Sequence, residues 1–256
     1  MKSYKLSGAL FSALKRLRPR RTYVSAIILA AGSGTRMGSS ITKQWLDIGG
    51  IPTVVRSLMA FNACKSVKEI IVCAKKDEIT RYDGLAEKYG IKKLKKVVAG
   101  KDTRQLSALE GFKNISDKAT FVAVHDAARC LITPEMIEKT VKAAVLNGCA
   151  VAASKATDTV KLVNSRLLVT DTPDRETVWL AATPQVFETE IYRASAYVAL
   201  KDKVSVTDDA SMAEHAGFAV KLVDTGKENI KITTRQDVFL AEAILKMRNT
   251  VFEEDI

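Results

Sequence analysis

An apolar run, Val24-Ser-Ala-Ile-Ile-Leu-Ala30, stops at a glycine-rich turn, Gly32-x-Gly34-x-x-x-Gly38. The turn carries Arg36, and Lys43 follows seven residues later. The run reads as a β-strand, and its rhythm repeats down the chain. Short runs rich in β-branched residues at 68–74, 94–99, 119–125 and 150–154 read as further strands. Helical patterns separate them at about 53–64, 77–89, 103–114 and 134–147. The last of these opens on Thr133 as cap and Pro134 in the first turn, and Gly148 closes it. Such alternation predicts an α/β, Rossmann-like fold: a mostly parallel twisted sheet with helices on both faces.

The rhythm breaks between 155 and 175. Two alternating runs, 157–163 and 167–172, flank Asn164-Ser165-Arg166, which is a β-hairpin pattern and not a crossover unit. It reads as an arm protruding from the domain. A solitary hairpin is marginal in water, so a partner, such as a second subunit, is expected to cover it. Helices at 188–200, 208–216 and 236–247 and strands at 219–223 and 229–232 complete the pattern. The chain thus divides into a basic extension, 1–22, and one domain, 23–249, with the arm inserted at about 155–175.

A length of 256 residues with 47% hydrophobic residues suits one such domain with a sizeable core. No apolar run approaches the ~20 residues of a membrane-spanning helix. The net charge of +11 invites a nucleic-acid reading. Seven of those charges, however, are Lys2, Lys5, Lys15, Arg16, Arg18, Arg20 and Arg21, in a stretch without acids, which leaves only +4 for the rest. Aromatic residues, at 6%, are too sparse to suggest stacking platforms for single strands. The extension's apolar centre is interrupted by Ser7, Gly8 and Ser12 and runs into basic residues instead of a small-residue cleavage site, which argues against secretion. It reads as a solvated basic segment, with an organelle address or an anionic-surface anchor as alternatives. Cys64, Cys73, Cys130 and Cys149 show no C-x-x-C spacing and read as packed thiols of a cytoplasmic protein.

Five segments could carry chemistry. The glycine-rich turn lets backbone N–H groups close on phosphate oxygens while Arg36 and Lys43 offset their charge. A tight strand-to-loop turn with surface cations is the plainer alternative. It is not a dinucleotide fingerprint, because the third glycine is one residue late and the ribose-binding acid is missing. Nor is it a P-loop. In His125-Asp126-Ala-Ala-Arg129, an acid at the carboxyl end of a strand stands where open α/β sheets bind ligands. Asp126 there suits either Mg²⁺ held against phosphates or a hydrogen bond to its own loop. His125 reads as a packed histidine ahead of a general base. Thr183-Pro-Gln185 with Arg175 upstream, Thr207-Asp-Asp-Ala-Ser211, and Asn229-Ile-Lys231-Ile-Thr-Thr234 are each, singly, as readily structural as functional.

In combination these segments resemble the 2-C-methyl-D-erythritol 4-phosphate cytidylyltransferases. The resemblance runs from about 25 to 245 and rests on AAGSGTRMG (30–38) with Lys43-Gln44, HDAAR (125–129), ATDTVK (156–161), TPQVF (183–187), TDDASMAEHAG (207–217) and NIKITT (229–234). It implies the nucleotide-diphospho-sugar transferase type of fold. The implied reaction joins CTP to methylerythritol phosphate with loss of pyrophosphate, in non-mevalonate isoprenoid precursor synthesis, with Mg²⁺ as cofactor.

The resemblance also implies roles. Arg36 and Lys43 would stabilise the transition state, with Arg175 and Lys231 completing the catalytic set. Ala30, Ala31, Gly32 and Gly34 would hug CTP, and Asp102, Arg104 and Ser107 would surround its base and ribose. Asp126 would hold the metal. Lys231 would grip the attacking phosphate, and Arg175 would reach that phosphate from a partner's arm in a homodimer. Thr159, Thr183 and Thr207 match the remaining substrate-contacting positions, which Asp126 joins. Cys130 stands where the family commonly has proline, and the basic N-terminus lies outside the pattern. A ribitol-5-phosphate-type cytidylyltransferase is the nearest alternative, and a basic nucleic-acid-binding module a more distant one.

Overall fold

The computed structural model describes residues 22–32 and 42–254, with side chains to residue 250. Gly34, Arg36 and all but the last residue of the basic extension lie outside the described residues.

In chain order the elements are β1 (Val24–Ala30), a one-turn 3₁₀ helix (Lys43–Trp45), β2 (Asp47–Ile48), β3 (Ile51–Pro52), α1 (Thr53–Ala63) and β4 (Val67–Ala74). A second 3₁₀ segment (Lys76–Tyr82), α2 (Leu85–Lys88), β5 (Leu94–Ala99), α3 (Arg104–Phe112), β6 (Phe121–Asp126), α4 (Pro134–Asn147) and β7 (Cys149–Lys155) follow. The chain ends with β8 (Leu162–Val163), β9 (Val169–Asp171), β10 (Trp179–Glu188), α5 (Thr189–Lys201), α6 (Asp209–His215), β11 (Lys221–Asp224) and α7 (Arg235–Glu254).

Seven strands form one sheet in the order β11-β7-β10-β6-β1-β4-β5. Every neighbouring pair is parallel except those made by β10, which runs against both β6 and β7. β1 is central, and its alternation decides the layering. Val24, Ala26, Ile28 and Ala30 face the core built with Val55, Leu58 and Phe61 of α1 and Ile137 and Val141 of α4. Ile27 faces the opposite core, with Leu109 of α3, Tyr192 of α5 and Met212 of α6. Both faces are therefore covered, as the β-branched runs require. At α4 the expected cap is present: Thr133 Oγ1 accepts from the Met136 N–H at 3.3 Å.

Three local expectations fail. The helix expected over 77–89 is a 3₁₀ segment and a single α turn, separated at Gly84, which sits at φ 70°. The strand expected over 229–232 joins no sheet; Ile232 N–H bonds the carbonyl of Ala128 instead, at 2.8 Å. Strand β10 was not among the expected strands; it contains Pro184, which cannot donate to a ladder, and its pairing with β7 is interrupted between Ala181 and Gln185. Within 155–175, β8 and β9 pair antiparallel as a separate two-stranded sheet, shorter than the expected runs and exposed at every residue.

Candidate functional site

From β1 the chain passes to β4 and β5 on one side, then returns to place β6 on the other. The crevice at the carboxyl ends of β1 and β6 is thus the switch point of the sheet, where loops part and a ligand can enter. A cavity of about 430 Å³ opens there. Its wall comes from the end of β1 (Leu29, Ala31, Gly32), the 3₁₀ turn (Lys43, Gln44), the loop after β5 into α3 (Lys101, Asp102, Thr103, Arg104, Ser107), the end of β6 (Asp126, Ala128), and Lys231.

Two devices shape the wall. Gly100 lets the loop after β5 press on the loop after β1, since a Cβ there would collide with Ala31 and stand 3.1 Å from Ser107 Oγ. Ser107 Oγ then ties its own loop, accepting from Lys101 N–H at 2.9 Å and facing the carbonyls of Thr103 and Lys101 at 2.9 and 3.1 Å. Thr103 caps α3 through Leu106 N–H at 3.1 Å. On the opposite wall, Gln44 Nε2 donates to the carbonyl of Gly32 at 2.9 Å, closing the turn over the end of β1.

The electrostatic centre is Asp126, buried at the end of β6. Its Oδ1 accepts from Arg104 Nε at 3.1 Å and its Oδ2 from Lys231 Nζ at 2.6 Å. Burial alone would raise its pKa, but the charges of Arg104 and Lys231 hold the carboxyl well below the usual range. Arg104 is shared: its Nη1 donates to Asp209 Oδ2 at 2.7 Å, and Asp209 Oδ1 accepts from the Tyr192 hydroxyl at 2.9 Å. Burial opposes the Arg104 charge, yet Asp209 and Asp126 together raise its pKa above the ordinary value. Arg104 Nη2 is buried with no hydrogen-bond partner among the described residues.

Behind Asp126, Thr183 Oγ1 accepts from the Asp126 N–H at 3.1 Å and lies 3.0 Å from His125 Nδ1. The Thr183 hydrogen therefore goes to Nδ1, which leaves Nε2 as the protonated nitrogen facing the Arg129 carbonyl at 3.3 Å. Burial lowers the His125 pKa to about 3. His125 is a neutral, packed residue, as its position suggested, and both ring nitrogens are engaged.

Of the expected site residues, Ala31, Gly32, Lys43, Asp102, Arg104, Ser107, Asp126 and Lys231 meet on this wall. Ala30 is fully buried one residue short of it, and Thr183 lies behind it. Thr159, Arg175 and Thr207 are exposed and line no part of the cavity. Arg175 Nη1 donates to the Thr157 carbonyl at 3.2 Å, within its own hairpin. Asp208, not Thr207, caps α6. Sequence reasoning missed Gln44, Lys101, Thr103 and Asp209. Gln44 stood in the quoted Lys43-Gln44 pair, and Asp209 in the segment read as a helix start. Among the described residues no group of three or more His, Cys, Asp or Glu side chains could hold a metal ion by itself. No helix there is long and apolar enough to cross a membrane.

The wall thus gathers the cations Lys43, Lys101, Arg104 and Lys231 beside Asp102 and Asp126. The IspD family model, 2-C-methyl-D-erythritol 4-phosphate cytidylyltransferase, matches residues 24–247. A protein of that description from Caldanaerobacter subterraneus subsp. tengcongensis is 40% identical over 225 residues, 87% of this chain and 99% of the relative. One from Geotalea uraniireducens is 40% identical over 230 residues, 89% and 98% of the two chains. Among solved structures, 4-diphosphocytidyl-2C-methyl-D-erythritol synthase from Anaerococcus prevotii superposes with a TM-score of 0.78 at 33% identity, covering 88% of this chain and 99% of that one. The Thermus thermophilus cytidylyltransferase gives 0.70 at 27% identity, covering 88% and 99%.

Proposed function

Since the chain belongs to the 2-C-methyl-D-erythritol 4-phosphate cytidylyltransferase family, we propose that the cavity between β1 and β6 is where CTP and the acceptor phosphate meet. The reaction is transfer of the cytidylyl group of CTP to 2-C-methyl-D-erythritol 4-phosphate, with release of pyrophosphate. The ribitol-phosphate alternative is not favoured, because the family model and the relatives alike carry the methylerythritol description.

The observation that carries the reading is the meeting of Lys43 with Asp126 and its partners Arg104 and Lys231 on one cavity wall at the switch point. A phosphate dianion attacking the α-phosphorus needs no general base at neutral pH, so catalysis reduces to alignment and charge stabilisation. The site agrees with this. Its one histidine, His125, is neutral and occupied on both nitrogens. In this reading Lys43, with Arg36, stabilises charge gathering on the α-phosphate, and Lys231 holds the attacking phosphate in line. Ala30, Ala31, Gly32 and Gly34 present backbone to the nucleotide. Asp102 and Ser107 border base and ribose, and Arg104 fixes the Asp126 carboxylate beside them.

Asp126 and Asp102 are the carboxylates on the cavity wall. Both Asp126 oxygens are already in ion pairs, so this donor set fits a divalent ion that brings most of its ligands as phosphate oxygens and water. Mg²⁺ held by Asp126 would supply neutralisation of triphosphate charge. Arg175 and Thr159 stand on or beside the arm, away from the wall of their own cavity. A homodimer in which each arm serves the partner's site would bring them to it. The four cysteines are free, buried thiols, which supports a reducing, cytoplasmic setting.

The test is pyrophosphate release from CTP with Mg²⁺ and each polyol phosphate in turn. Methylerythritol phosphate should be turned over and ribitol phosphate should not. Lys43→Ala should cut kcat by about 10²-fold or more with the fold intact. No product with methylerythritol phosphate, or a loss of only a few-fold in Lys43→Ala, would overturn the reading.

A further inference from the structure

Lys43 lies on a three-residue 3₁₀ helix whose flanking residues, Thr42 and Leu46, are both extended. A helix this short makes one backbone hydrogen bond, Trp45 N–H to Thr42 carbonyl at 2.9 Å, and cannot hold its own orientation. Side chains must do so. On the cavity side Gln44 ties to Gly32. On the other side stands the 3₁₀ segment that follows β4. Its Glu78 is buried, 6% exposed, and is not part of the cavity wall. Both of its carboxylate oxygens are spent on the Lys43 turn: Oε1 accepts from Thr42 Oγ1 at 2.7 Å, and Oε2 from Trp45 Nε1 at 3.2 Å. Arg81 completes the grip, with its guanidinium carbon 4.1 Å from the centre of the Trp45 ring and Nη1 3.9 Å from Glu78 Oε1. The Tyr82 ring meets Trp45 edge-on at 5.0 Å between centroids.

We propose that Glu78 is a positioning residue for the cytidylyl transfer, setting Lys43 in the cavity wall by clamping Thr42 and Trp45 on either side of it. This rests on the reading that Lys43 acts on the nucleotide's phosphates. The carboxylate matters because it offers two acceptors at once. An amide of the same size could keep both contacts, accepting from Trp45 with its oxygen and donating its NH₂ to the Thr42 hydroxyl, so the variant that releases both Thr42 and Trp45 is the apolar Glu78→Met. The Lys43 ammonium then loses its fixed point of departure, and transition-state stabilisation is the quantity that suffers.

The experiment is steady-state kinetics on Glu78→Met, Thr42→Val and Thr42→Ser, with Glu78→Met and Thr42→Val also placed in a Lys43→Ala background. Glu78→Met and Thr42→Val should each lower kcat about tenfold while KM for CTP moves less than about twofold. Thr42→Ser, which keeps the hydroxyl, should match the parent. In the Lys43→Ala background neither change should cost anything further, because the residue through which the clamp acts is gone. Losses that multiply in that background, or near-parental kcat in both single variants while Lys43→Ala is impaired, would overturn the clamp alone. Full turnover by Lys43→Ala would overturn the clamp and the reading of Lys43 together. Should Glu78→Met fail to fold, Thr42→Val runs the same cycle.

Discussion

His125 lies fully buried on β6, its ring centroid 4.9 Å from that of Phe61, with Thr183 on one nitrogen and the Arg129 carbonyl facing the other. Protonation there would bury an unpaired cation, and burial accordingly lowers its pKa to about 3. An unfolded histidine titrates near 6.5, so between those values the unfolded chain binds the extra proton and the folded chain does not. The stability this residue confers is complete above about pH 6.5 and drains away as pH falls, by about 1.4 kcal/mol per pH unit at the steepest. Asp126, the next residue, also has a lowered pKa, but its loss begins only below the unfolded carboxylate value of about 3.9. The window from pH 6.5 to 4.5 therefore isolates His125. Urea midpoints across that window should fall more steeply for the parent than for His125→Asn, with a gap change of about 2 kcal/mol by pH 5. Parallel curves would mean that His125 charges without unfolding the site.

The loop between β5 and α3 is an element whose shape depends on one missing atom. Gly100 N–H bonds the Ala74 carbonyl at 2.7 Å, and its Cα faces Ala31 so closely that any Cβ would overlap it. Gly100→Ala should push Asp102–Ser107 away from the end of β1, raise KM for CTP, and destabilise the fold by about 1–3 kcal/mol. Kinetics together with a denaturation midpoint measures both, and an unchanged KM would show that the wall tolerates the shift. This element also marks what was legible in the sequence. Strands and helices whose residues are neighbours in the chain could be read from period, caps and glycines, as with β1 and α4. So could a wall residue fixed by a short local motif, such as Gly32, whereas Asp102 came only through the family resemblance. The pairing of Arg104 with Asp209 spans 105 residues, and no local pattern encodes it. Strand β10 was not read from the sequence at all; it runs through Pro184, whose missing donor normally excludes a central strand, and the ladder yields around it. The clamp on Trp45 was equally silent, since Glu78 reads as an ordinary surface acid until the 3₁₀ segment turns it inward.

At the scale of the whole molecule the 155–175 segment is the part that the proposed homodimer would cover. Leu162, Val163, Leu167, Leu168, Val169 and Leu180 are all large, apolar and exposed, Leu167 to 81%. An isolated two-stranded sheet with so much apolar surface gains little from its own few contacts, and a second copy would bury both arms at once through a two-fold contact. Arg175 fits that arrangement. It is exposed within the 155–175 segment, its guanidinium donates to the Thr157 carbonyl, and it is absent from the wall of its own cavity. If each site takes Lys43 from one subunit and Arg175 from the other, Lys43→Ala and Arg175→Ala are defects that cross over. Each homodimer is then inactive, but a mixed dimer holds one site with both residues intact and one with neither. Half of the dimers are mixed when equal amounts are refolded or co-expressed together, so roughly a quarter of all sites recover. Pyrophosphate release from the mixture should therefore climb from the background of either variant to about a quarter of the parent rate. A mixture no more active than its components, in dimers shown to have exchanged, would place Arg175 in the site of its own subunit or outside the reaction.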